Sequence, residues 1–317
     1  MFQLFKKRNF SELVGDTFTF FKMHGKHYYR NYFIINGGIL LVLLILVYLL
    51  MKIFFEGMFS NPNAGIGNID SNMDLYISDN LPLIIGLAVL TGLAAIFLSL
   101  LSYSYPVAYL KLLEKKSNFE TSEIITMIKS KIGKIFIFFI ASLFIMIPVM
   151  AIVMLLSFAL VFLLIGIPLL FILIPAFGSW FSLSFYDYIS TDNGYFDSLG
   201  NGFKLLKQKF WPCVGSTVVM YMIVQIVVGI VSMIPYFIGI FSLFTSFENQ
   251  DGNQLQPEQF SFFMIMFGVT MTLSILMNFV LQNFILVNQG IIYYSVREEN
   301  ENNTQKSEID LIGTPSE

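Results

Sequence analysis

Few side chains in this sequence are of a type and spacing that support chemistry. Two histidines, His24 and His27, stand three apart in Met23-His24-Gly25-Lys26-His27-Tyr28-Tyr29-Arg30, which places them on neighbouring positions of a helix. A metal would need further ligands, yet the sequence neighbours are bases and no acid or cysteine lies close, so both are expected to be interfacial side chains. The single cysteine, Cys213, has no partner for a disulfide or a zinc cluster. No nucleophile elbow, phosphate-binding loop or HExxH helix is present, and no Asp or Glu falls in the interior of an apolar run, where proton relay or ion coupling would place one. No catalytic, cofactor-binding or metal-binding residue is therefore assigned, and an enzyme ranks third among the functional classes.

Two sets of polar residues remain. Asn278, Gln282 and Gln289 recur at helical spacing, with Asn283 and Asn288 beside them and Gln225 on an earlier apolar run. Amides in this pattern either line a polar cavity for a neutral or lipidic solute or hydrogen-bond neighbouring helices, at about 0.6 kcal/mol per contact. Lys22, Lys129 and Lys207 each close a short amphipathic segment placed just before an apolar run. Such segments seat their apolar residues at the headgroup boundary and turn lysines towards anionic lipid, worth about 1 kcal/mol per base near the surface, although ordinary interfacial packing requires the same pattern.

The elements that must carry these residues are set by composition. Of 317 residues, 56% are hydrophobic and 12% charged. Mean hydropathy is +0.72. The solvent for most of this chain is lipid, and the expected class is an all-α, polytopic membrane bundle. Apolar runs at about 32–55, 81–110, 133–157, 160–188, 210–242 and 260–296 each reach the roughly 20 residues needed to cross a bilayer, which predicts six spans. The third and fourth are separated by no charge between Lys134 and Asp187, so a tight turn is expected near Leu156-Ala159, with Gly166, Pro168 and Pro175 inside the fourth helix.

Charge fixes the orientation. Bases cluster before the first run, between the second and third, between the fourth and fifth, and after the sixth, and only Lys52 departs from this pattern. Those segments are expected in the cytoplasm, with both termini. The opposite loops, about 56–80 and 243–259, hold acids, and Asn61 to Asn68 and Glu248 to Gln254 read as solvated connectors. The net charge of -3 excludes a strongly basic nucleic-acid binder. Residues 298–317 form an acidic, polar tail that is expected to stay disordered; its triplet Asn302-Asn303-Thr304 fits a glycosylation acceptor, but the cytoplasmic placement removes that role.

An internal repeat organises residues 1–297 as one transmembrane domain. Val14-Gly15-Asp16-Thr17-Phe18-Thr19-Phe20-Phe21-Lys22 aligns with Leu199-Gly200-Asn201-Gly202-Phe203-Lys204-Leu205-Leu206-Lys207 without a gap, and Glu123 to Lys129 is a weaker copy. The second, fourth and sixth runs end in Tyr109-Leu110-Lys111, Tyr186-Asp187-Tyr188 and Tyr293-Tyr294-Ser295, which are expected to mark one membrane interface. Three units of amphipathic helix plus hairpin follow, at about 10–116, 119–190 and 196–297.

The repeated start, Gly15-Asp16-x-Phe18-x-x-Phe21-Lys22 and Gly200-Asn201-x-Phe203-x-x-Leu206-Lys207, resembles a group of uncharacterised bacterial six-span membrane proteins. That group includes the membrane domain fused to some glycerophosphodiester phosphodiesterases. The resemblance implies a bacterial inner-membrane protein; the catalytic domain of those fusions has no counterpart here, so its activity is not carried over. A carotenoid-oxygenase label, attached to some similar proteins, is poorly supported by two histidines. The leading expectation is a non-enzymatic protein that organises or regulates membrane or envelope components and has the lipid bilayer, its anionic headgroups and a membrane-protein partner or a second copy as partners. The alternative is a permease for a neutral or lipidic solute.

Overall fold

The computed structural model describes residues 2–58, 69–116, 118–163, 166–248 and 257–302, and these are helical almost throughout, with no strand among them. The elements are α1 (Phe10–Met58), α2 (Ile69–Lys115), α3 (Thr121–Ser130), α4 (Ile132–Ala159), a single 3-10 turn (Leu160–Leu163), α5 (Gly166–Ser190), α6 (Tyr195–Gln208), α7 (Phe210–Glu248) and α8 (Pro257–Glu301). Six of them, α1, α2, α4, α5, α7 and α8, are long and apolar enough to cross a membrane. The chain is a multi-pass helical membrane protein.

Helices prevail because a backbone in lipid must satisfy its own amides, and only helices do so within one segment. Two lengths occur. With 28 and 25 residues, α4 and α5 are close to a bilayer span, whereas the 49 residues of α1 reach about 74 Å at 1.5 Å per residue, well beyond a hydrocarbon core of about 30 Å. The apolar runs of α1, α2 and α8 thus sit inside longer helices that continue through polar sequence. In α1 the amphipathic start at Phe10 runs into the apolar run without a break, whereas α3 and α6 are separate helices.

The turn between α4 and α5 falls slightly later than the sequence indicates. Helix α4 runs through Leu156-Ala159 and the 3-10 turn follows it at Leu160–Leu163; residues 164–165 lie outside the described set. Gly166 and Pro168 therefore open α5 instead of interrupting it, in the first turn where a missing amide costs no intrahelical bond. Only Pro175 stands in its interior. A Cβ at Gly166 would meet the Ser157 carbonyl and the Val161 amide, so the close return of the chain requires a glycine there.

At its far end α8 continues to Glu301, four residues into the segment expected to be a disordered tail, and Glu298 is buried. Asn302 ends the helix at φ 48° with its N–H on the Glu298 carbonyl, a left-handed cap that asparagine tolerates. Residues 303–317 and the expected connectors at 61–68 and 249–254 lie outside the described residues. The one base that departs from the charge pattern, Lys52, is paired with Glu56 at 3.6 Å.

Two compact units make up the chain: Met1–Ile35, Leu100–Val224 and Gln282–Glu317 form the first, and Asn36–Ser99 and Gln225–Leu281 the second. The first holds a large core of buried aromatic and aliphatic side chains. The second buries a small cluster, Leu40, Leu43 and Leu98, and leaves large apolar side chains such as Leu41, Ile45, Leu93 and Phe241 outward, as a lipid-facing surface does.

Candidate functional site

In the first unit, α6 lies against α5. Its buried positions, Tyr195, Ser198, Leu199, Gly202, Leu205 and Leu206, recur at three and four residues and form one face. The fit is close at Gly202, where a Cβ would run into the Ser184 backbone and hydroxyl. Trp180 donates from Nε1 to the Leu199 carbonyl at 2.9 Å, and Asp187 accepts from Asn193 and Asn201 at 3.0 and 3.2 Å. The end of α5 is closed by lysines: Lys111 donates to the Ser190 carbonyl, and Lys134 to the Thr191 carbonyl at 3.0 Å. Bases that read as topology markers in the sequence therefore also cap a helix C-terminus.

The tyrosines that close the even-numbered runs do not form an interfacial belt. Tyr109, Tyr186, Tyr293 and Tyr294 are buried in the first unit, together with Tyr28, Tyr32 and Tyr105. Most of their phenols have partners. Tyr28 donates to Asn283 Oδ1 at 2.8 Å, Tyr105 to the Tyr28 carbonyl at 2.6 Å, Tyr186 to the Leu286 carbonyl at 3.2 Å and Tyr294 to Glu114 at 2.9 Å. The rings meet edge to face, Tyr28 with Tyr105 and Tyr109 at 4.9 and 4.8 Å. A phenol in a belt faces water; here it must find its partner inside the protein, and the helix ends supply carbonyls and amides for it.

His27 belongs to this cluster. Its Nδ1 lies 2.9 Å from the Tyr109 hydroxyl and its Nε2 3.1 Å from the Phe119 carbonyl, so the ring ties α1 to the end of α2 and to the segment before α3. His24 packs against Phe2 and Phe20. Among the described residues no group of three His, Cys, Asp or Glu side chains converges.

The predicted amides divide between the units. Gln225 and Asn278 belong to the second, where Gln225 Nε2 is 3.5 Å from Asn278 Oδ1 and Asn278 also donates to the Ser274 carbonyl. Gln282, Asn283 and Gln289 belong to the first. Gln282 hydrogen-bonds the Tyr103 phenol, Asn283 holds Tyr28, and Gln289 donates to Thr217 Oγ1 at 2.7 Å. Their neighbour Asn288 donates to Thr17 and to the Leu13 carbonyl. Within this pair of neighbours, the buried Asn288 Oδ1 and Gln289 Oε1 accept no hydrogen bond from the described residues. The three predicted lysines, Lys22, Lys129 and Lys207, are exposed and form no ion pair among the described residues. Large apolar side chains stand near two of them: Phe18 close to Lys22, and Phe203 and Trp211 close to Lys207, the last two 53% and 67% exposed.

Arg8, one of the bases before the first apolar run, is 2% exposed. Its guanidinium donates to the carbonyls of Gln3, Leu4 and Lys6 and to Asp16 Oδ2 at 2.8 Å, and its backbone N–H donates to Ser295 Oγ at 2.9 Å. Burial pulls its pKa down and the Asp16 carboxylate works against that pull. Arg8 thus ties residues 3–8 to α1 through its side chain and to α8 through its backbone N–H. Nothing in the local spacing marks it, because its acceptors are backbone carbonyls and a carboxylate eight residues on. No protein-family model, curated protein or solved structure matches the chain.

Proposed function

We propose that this chain is a non-enzymatic protein of a bacterial inner membrane, built as three amphipathic-helix-plus-hairpin repeats with both termini in the cytoplasm, and that it organises or regulates membrane components through the helical ends on its cytoplasmic side. The observation that carries the reading is the direction in which polar side chains point. The amides and phenols that would line a solute path bind one another or the backbone, as Gln289 binds Thr217 and Asn283 binds Tyr28, while the unpaired lysines and large aromatics of α1, α6 and the start of α7 face outward. A protein arranged this way offers a surface to headgroups or to a partner.

The test is native mass spectrometry of the complex extracted in mild detergent, which is expected to retain a protein partner, a second copy or anionic lipid, and to lose anionic-lipid enrichment at low salt when Lys22, Lys129 and Lys207 are all changed to Gln. A bare, lipid-free monomer under these conditions would sink the reading. Orientation has its own test, in which single cysteines at Ser60→Cys and Ser307→Cys react with an impermeant thiol reagent from opposite sides of the membrane; labelling from one side overturns it.

A further inference from the structure

Within the first unit, the end of α2 and the outer face of α3 enclose a cleft of about 500 Å³. That is within the range of small-molecule sites, roughly 300–1,000 Å³. Its wall carries three ammonium groups, Lys111, Lys115 and Lys131, three hydroxyls, Ser122, Thr126 and Ser130, and the apolar stems of Leu112 and Met127. The charges do not cancel. The half-buried Lys111 ammonium has Lys131, Lys115 and Arg297 around it as like charges and Glu114 as the one opposing charge. Neither Lys115 nor Lys131 forms an ion pair among the described residues.

The acids nearby are committed elsewhere. Glu123, the one carboxylate on the wall, accepts from Lys116 and from the Glu120 N–H at 3.0 Å, and Glu114 accepts from Tyr294. Three like charges gathered in a concave site repel one another unless an anion joins them, and a tetrahedral oxyanion satisfies several ammonium donors at once. We infer that this cleft binds a phosphate group, as a phosphomonoester or phosphodiester, with Lys115 and Lys131 on its oxygens, joined by the N–H groups that Lys111 keeps beyond its bond to the Ser190 carbonyl, and with Leu112 and Met127 against the carbon skeleton it esterifies. The group arrives either as a lipid headgroup or on a soluble molecule. This inference does not depend on the scaffold reading, because a permease or an enzyme could hold the same anion.

The test uses the full-length protein in nanodiscs of zwitterionic lipid doped with phosphatidic acid, analysed by native mass spectrometry at about 0.3 M salt, where diffuse surface attraction is screened over roughly 6 Å. One phosphatidic acid per chain is expected to stay bound. The double variant Lys115→Gln with Lys131→Gln should weaken it by about tenfold or more, and Ser130→Asp, an exposed change that sets a like charge against the anion without touching a lysine, should do the same. Lys26→Gln, an exposed base of the same unit outside the cleft, should leave binding unchanged at this salt. If inorganic pyrophosphate competes the lipid off and itself binds the detergent-solubilised chain, the source is soluble; if only the lipid binds, the source is the membrane. Either result supports the site. Absence of binding by both probes, wild-type binding by both cleft variants, or an equal loss in Lys26→Gln overturns it. The low-salt lipid enrichment assigned to Lys22, Lys129 and Lys207 is a separate measurement, and its failure leaves this one standing.

Discussion

The first unit buries Tyr28, Tyr105, Tyr186 and Tyr294 with each hydroxyl on a named acceptor, and a guanidinium besides; the second buries Leu40, Leu43 and Leu98 and few polar groups, among them Asn36 and Ser232. Both are helical and both belong to the same long elements. What differs is what holds helix to helix. Where apolar side chains face lipid, burying them against another helix removes little from water, so association rests on shape and an occasional hydrogen bond. Where the same helices carry Tyr, Asn, Thr and Arg, each buried donor needs one partner at one place, and that demand fixes register as well as contact.

Substitutions can break or sharpen this contrast. The largest effect is expected from Gly202→Val, which forces a branched side chain into the Ser184 backbone and should lower the stability of the first unit by about 3 kcal/mol, read as a drop in the thermal midpoint in detergent; Gly200→Ala, with nothing within 4 Å of its Cβ position, should be neutral or slightly stabilising. Arg8→Ala comes next, at about 2 kcal/mol, because it leaves Asp16 with Lys6 alone and releases three carbonyls, and it should expose residues 3–8 to protease before any other part of the unit opens. In the second unit Gln225→Leu should cost no more than about 0.6 kcal/mol in the same thermal measurement, and a loss as large as that of Arg8→Ala would erase the contrast.

The smallest effect concerns acid. The Lys116 ammonium and then the Glu120 N–H hold the Glu123 carboxyl below its ordinary value of 4.5. A depressed folded value means that the stabilisation is complete above about pH 4.5 and fades as pH falls through the lower folded value. Amide exchange at the start of α3 should accelerate in that window, and Glu123→Gln should remove the pH dependence.

The sequence makes six spans and a turn between the fourth and fifth long helices legible because lipid imposes length and hydropathy on each run separately, and both can be read locally. Partnerships are different. The repeat alignment pairs Gly15 with Gly200, yet neither has a neighbour within 4 Å, and the glycine that the packing requires is Gly202, two residues on. The terminal tyrosines look like a belt because belt residues and buried residues share a type, and only the presence of acceptors such as Asn283 and the Leu286 carbonyl distinguishes them. The amides were legible as polar groups on helices but not as members of two different units. The lysines of the cleft, Lys111, Lys115 and Lys131, were counted for orientation, and their convergence depends on how α3 folds back on α2.

Cys213 gives this contrast a clock. It is the only thiol in the chain and is fully buried in the first unit, with its carbonyl accepting from Ser216 and Thr217. A thiol reagent can reach it only when that unit opens, so its modification rate in the unaltered protein counts openings of the first unit and ignores those of the second, which holds no thiol. A single-probe kinetic experiment on the native sequence therefore reads the lifetime of the polar core alone, and single-cysteine topology measurements can leave Cys213 in place as a silent residue for as long as that core stays shut.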